Sequence, residues 1–136
     1  MEDFVLYDEA LEMKDIGFDE PCFGYWFTNP QKKYIPEIWQ GSWENMTSQE
    51  NIRTLYYGIS APTYAQCFKW FRNIGYDIWL PKIDDKYQYV IKFDFGYTGG
   101  FDSRTNITSY EEAELLCLRN LIELYKQKIN REKLGK

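Results

Sequence analysis

The sequence predicts an α+β fold, a single domain over residues 1–136 with helices packed on one face of a mainly antiparallel sheet, roughly α-β-β-β-α-β-β-α. Three observations lead there. A strongly signalled helix closes the chain over 106–129, NITSYEEAELLCLRNLIELYKQKI. Two earlier stretches, 6–19 and 61–77, echo its opening. Between the helices lie short aromatic-rich segments of strand period, separated by turn residues.

The first echo, LYDEALEMKDIGFD, is a short helix of moderate amphipathicity with Gly17 as its stop. Leu6 stands where a capping hydroxyl would be expected, so its start should fray. CFGYWF (22–27) follows as a strand, Asn29-Pro30 as a turn, and YIPEIW (34–39) as a strand that Pro36 confines to an edge or bulge. The segment 41–51 is polar and turn-rich, with Trp43 stranded in it. TLYYGIS (54–60) reads as a third strand.

In the second echo, APTYAQCFKWFRNIGYD, Thr63 and Gln66 form a capping box and Gly75 ends the helix. The two endings match, Ile16-Gly17-Phe18-Asp19 and Ile74-Gly75-Tyr76-Asp77. They mark a weak internal repeat of helix then strands, closed by the third helix; reuse of a common helix device explains them nearly as well. DIWLPKIDDKYQYVIKFDF is a hairpin about Asp84-Asp85-Lys86, with one packed face and one largely wet face. GYTGGFDSRTN (96–106) reads as a flexible loop into the last helix.

In that last helix Ser109 and Glu112 form a capping box. Ala113, Cys117, Leu121 and Leu124 make one apolar stripe, and Leu115, Leu118, Ile122, Tyr125 and Ile129 a second. Two stripes exceed what one sheet face needs. A homodimer with this helix at its interface is therefore expected, against the alternative of a helix held between the sheet and a long loop.

Composition bounds the chemistry. The net charge of −5 argues against general nucleic-acid binding, because phosphates repel an acidic surface. There is no His, which excludes Ser-His-Asp and Cys-His catalysis and leaves the three cysteines without zinc-type spacing. Acids are plentiful, but Glu9, Glu111 and Glu112 have helix-start roles and Asp84 and Asp85 a turn role. No enzyme, cofactor or metal is expected. No apolar run approaches about eighteen residues, so no membrane contact is expected either. The aromatic fraction, 19%, is high enough that some rings are expected outside the core.

One local combination joins ring, base and bare backbone: Tyr97 and Arg104 flanking Gly99-Gly100. It lacks the endings of a P-loop or a dinucleotide fingerprint. A mobile connector is the plainer account. As a ligand site it would offer Tyr97 for stacking and Arg104 for phosphate near a helix start, with Trp39 and Trp43 as a second wall.

Three segments, LYDEALEMKDIGFDEPCFGYW, SAPTYAQCFKWFRNIG and TSYEEAELLCLRNLIEL, resemble a set of small proteins of phages and mobile elements in Bacteroides-like gut bacteria. The shared residues are caps, stops and core rings, so the resemblance carries no activity. It implies a non-catalytic phage accessory protein in the cytoplasm of an infected bacterial host. Such a protein would act by binding, countering a host defence by sequestering a small nucleotide-like ligand or by inhibiting a host defence protein. A structural or regulatory phage role is the third reading, and a carboxylate-dependent enzyme the last.

Overall fold

A computed structural model describes residues 4–20, 22, 24–28, 37–40, 49–51, 56–94 and 99–134. The fold is α+β with antiparallel sheets, as the sequence predicts. Its described strands number eight rather than five and fall into two sheets. The chain forms two compact units, Met1–Tyr64 and Ala65–Lys136. The turn at Asn29-Pro30, Pro36, and the loop holding Trp43 lie outside the described residues.

The first unit opens with α1 (Tyr7–Asp15), whose N-cap Leu6 provides no side-chain bond, as expected of an apolar cap. The helix stops at Gly17, which takes φ +108°, a left-handed conformation that glycine adopts without a Cβ penalty. Gly17 N–H donates to the Lys14 carbonyl at 3.1 Å and Phe18 N–H to the Met13 carbonyl at 2.9 Å. This is a Schellman motif, with its usual apolar pair, Phe18 and Met13, both buried. Four strands follow: β1 (Gly24–Thr28), β2 (Glu37–Gln40), β3 (Gln49–Asn51) and β4 (Tyr56–Ala61), in the order β2-β1-β4-β3. β3 was not legible, since Gln-Glu-Asn has no strand propensity and is held by pairing with β4.

The second unit holds α2 (Tyr64–Asn73) apart from its first residue, then β5 (Tyr76–Trp79), β6 (Lys82–Ile83), β7 (Lys86–Asp94), β8 (Gly99–Ile107) and α3 (Tyr110–Leu134). Gly75, at φ +117°, ends α2 as Gly17 ends α1. The repeat does not extend to the sheets, whose strand orders differ. β6 and β7 turn on Asp84 and Asp85, at φ 50° and 63°; this is the two-residue primed turn that suits a twisted hairpin, and short polar Asp tolerates it. β7 is central: β5 and β6 pair with one edge in succession and β8 with the other.

The segment expected as a flexible loop is thus mostly a strand, since residues 99–107 form β8. The physical reason is cross-strand. A Cβ on Gly100 would lie 2.7 Å from Cζ of Phe93, so the ring of the β7 residue opposite covers the glycine. Pairing with an aromatic supplies what glycine lacks as a strand former. A register shift at the far end, with Asn106 at φ 60°, makes a bulge before α3.

Alternation along the strands gives the second sheet a buried face, with Tyr76, Ile78, Tyr89 and Ile91 all buried. The last helix meets two surfaces there. Its Asn120 bonds to Tyr89 of β7 and Asp102 of β8, while Tyr125 packs edge-on against Trp70 and Phe71 of α2. The second apolar stripe is largely satisfied this way: Leu118 and Ile122 are fully buried and Tyr125 is half-buried. α2, rather than a long loop, supplies the second surface.

Candidate functional site

The exposed face of the second sheet carries what the buried face does not need. Asp77, Lys92 and Phe101 stand in one cross-strand row, and Trp79, Val90 and Ser103 in the next. Ile83 shares this face through its pairing with Lys86. A face expected to be largely wet instead exposes large apolar groups: Trp79 is 48% exposed, Ile83 53% and Phe101 61%. Lys92 Nζ lies 5.7 Å from the centre of the Trp79 ring, near enough for a weak cation–π attraction.

At one end of this face is an open depression of about 510 Å³, lined by Gly75, Asp77, Lys92, Phe93, Asp94, Gly100 and Phe101. Gly75 is exposed and without a side chain, and Phe101 presents a ring. Two carboxylates stand against one ammonium, so the charge balance of the depression is negative. That suits amino or guanidinium donors better than phosphate.

Behind the sheet, on the side of α3, Asn120 Nδ2 donates to Tyr89 Oη at 3.2 Å and to Asp102 Oδ2. Burial raises the Tyr89 phenol pKa, and the Asp102 charge adds to the rise. The neighbouring Cys117 thiol is pushed up to about 12, first by burial and then by Asp102 and Glu114, against the lowering effect of Arg72. A thiol so held is protonated near neutrality and is no nucleophile. Arg72 is itself committed to the Ile78 carbonyl at 3.0 Å. Among the described residues no group of three or more Cys, Asp or Glu is arranged to hold a metal ion, and no helix is long and apolar enough to cross a membrane.

Of the residues singled out from sequence, Arg104 lies in β8 opposite Tyr89. By alternation it faces the α3 side, whereas Phe101 of the same strand faces the depression. Arg104 also lies mid-strand, with the N-cap Ser109 five positions on, so it does not adjoin a helix start. Trp39 lies in β2 opposite Tyr25, in the first unit. Tyr97 and Trp43 are outside the described residues. Arg104 and Trp39 thus belong to different units.

The residues that do converge, Asp77, Trp79, Lys92 and Phe101, escaped the sequence reading. Reading 96–106 as a loop removed the strand parity that aligns Phe101 with Lys92. One signal was present: Trp79 falls on the wet side of the hairpin alternation. Comparison with protein-family models, curated proteins and solved structures finds no match to the chain.

Proposed function

We propose that the chain is a non-catalytic binding protein that acts by covering a site on another protein. The observation that carries this reading is the exposed band Trp79–Ile83–Phe101 on one sheet face. Rings held in water on a rigid strand lose little conformational freedom when covered, and such aromatics dominate the energetics of protein contacts. Lys92 stands between Phe101 and the strand of Trp79, and Asp77 and Asp94 beside it add the polar groups such contacts use. The resemblance to small phage and mobile-element proteins supplies the setting: the cytoplasm of an infected bacterium, where the partner is a host defence protein.

Sequestration of a nucleotide-like ligand is the second reading. It is favoured by the Phe101 ring and Lys92 ammonium meeting at one depression beside Gly100. It ranks second because Asp77 and Asp94 oppose phosphate there, and the other ring of the depression, Phe93, is engaged over Gly100 and against Tyr76.

The test compares the wild type with Trp79→Ser/Phe101→Ser. A cross-linked host protein is identified, purified and titrated by calorimetry. Binding should weaken at least about a hundredfold in the folded double variant, since each hot-spot ring contributes about 2 kcal/mol. Binding indifferent to both rings, or no partner at all, overturns the proposal. A nucleotide that raises the melting temperature of the wild type but not of Lys92→Ala/Phe101→Ser would establish the second reading in its place.

A further inference from the structure

The two edges of the second sheet are built differently. One is broken: β5 has four residues and β6 two, separated by Leu80 and Pro81. Short strands and proline are the usual defences against unwanted edge pairing. The other edge is β8, nine residues with neither Pro nor Lys, and among the described residues it pairs with β7 alone. All of 99–106 but the half-buried Asp102 is exposed. Such an edge presents a row of backbone donors and acceptors to any strand that matches it.

We propose that the matching strand is β8 of a second copy, paired antiparallel about a two-fold axis at Ser103. The argument is charge complementarity within Phe101-Asp102-Ser103-Arg104-Thr105. Paired with itself about Ser103, this segment sets Asp102 opposite the partner's Arg104, and Arg104 opposite the partner's Asp102. Directly opposed residues in an antiparallel pair have Cβ atoms about 4.5–5.5 Å apart, within reach of an ion pair. A shift of one residue either way breaks both pairs, so the charges select the register. An isologous contact of this kind closes after two copies.

The surroundings fit. Asn120 holds the Asp102 carboxylate in place, and an ionised carboxylate has acceptor capacity left for a guanidinium. Arg104 is exposed. The bulge at Asn106 ends regular pairing on one side and limits the contact to residues 101–105. On the exposed face Phe101 comes to lie opposite the partner's Thr105, which extends the apolar band from one copy towards the next. A contact of this size makes a reversible dimer, with dissociation at roughly 10–100 µM.

Sedimentation over a concentration series tests it. The wild type should pass from monomer to dimer across that range. Arg104→Glu should shift the transition by at least about tenfold, because two carboxylates then face each other at both positions. Asp102→Arg should do the same with two cations. An equimolar mixture of the two variants restores both ion pairs and should dimerise as the wild type does. A monomer at every concentration, a dimer indifferent to Arg104→Glu, or a folded mixture that fails to pair overturns the proposal. If Asp102→Arg, which loses the Asn120 bond, does not fold, Arg104→Glu decides alone, its side chain being exposed.

Discussion

A methyl group added at Gly100 would stand 2.7 Å from Cζ and 3.3 Å from two further ring carbons of Phe93. Retreat of Phe93 towards Tyr76 is limited, the ring centres being 5.7 Å apart. Gly100→Ala should therefore destabilise the protein by about 1–3 kcal/mol, the usual range for overpacking. Gly99→Ala should be milder, the nearest atom to its Cβ being the Phe93 carbonyl oxygen at 3.3 Å, with Asp94 atoms at 3.6 and 3.7 Å. Replacing Phe93 by Leu opens space, so the Gly100→Ala penalty should shrink in that background, a coupling that urea melts of the double-mutant cycle measure. Equal penalties in both backgrounds would remove the ring as the cause. The same pair of residues explains why the strand was hidden in the sequence. Glycines at 99 and 100 read locally as a loop; what makes them strand is a ring several positions earlier, across the sheet.

Among the elements, those whose limits are fixed locally were the legible ones. Gly17 and Gly75 end α1 and α2 where the Ile-Gly-aromatic-Asp endings place them, each at positive φ with a buried ring following. Asp84 and Asp85 turn the hairpin. At the start of α3 the Glu112 N–H donates to Ser109 Oγ at 3.1 Å, as the spacing implies. The other half differs: the Glu112 carboxylate takes the Thr108 hydroxyl at 2.9 Å, which ties the cap to the residue before it. Ser109→Ala should thus lose about 1 kcal/mol in a urea melt, while Thr108→Ala, which removes only an exposed side-chain bond, should lose less. Equal losses would mean that the Thr108 bond, not the backbone cap, holds the helix start. Beyond local signals the sequence fell silent. The division of strands between two sheets, the pairing of β3, and the second contact of α3 with α2 all depend on partners distant in the chain. The candidate site shares that limit, because Asp77, Lys92 and Phe101 become neighbours only once the register of three strands is known.

At the scale of the whole chain, the high aromatic content makes stability sensitive to alkali. Trp70, Phe71, Tyr76, Phe93 and Tyr125 pack ring to ring in the second unit, with successive centres 5.1–5.7 Å apart. Burial in that cluster, reinforced by Tyr125 and Glu132, pushes the Tyr76 phenol from 10.0 up to about 12. Burial likewise takes the Cys117 thiol from 9.0 to about 12. Once unfolded, each group releases its proton near the lower value, whereas the folded protein holds it to the upper one. Between pH 9.0 and about 12 the folded state therefore binds more protons than the unfolded state, and the unfolding free energy falls as pH rises. Below pH 9.0 both contributions are present in full. Tyr89 and Tyr7 are raised in the same direction, so they add to the loss rather than offset it. The denaturation midpoint should accordingly begin to fall near pH 9.0 through Cys117 and fall more steeply above 10.0, where Tyr76 joins it. Cys117→Ala should make the fall between pH 9.0 and 10.0 shallower, whatever it does to the midpoint at neutral pH. A midpoint that held level through pH 11 would mean that both groups reach water in the folded protein. The ring cluster would then be looser than its edge-on geometry implies.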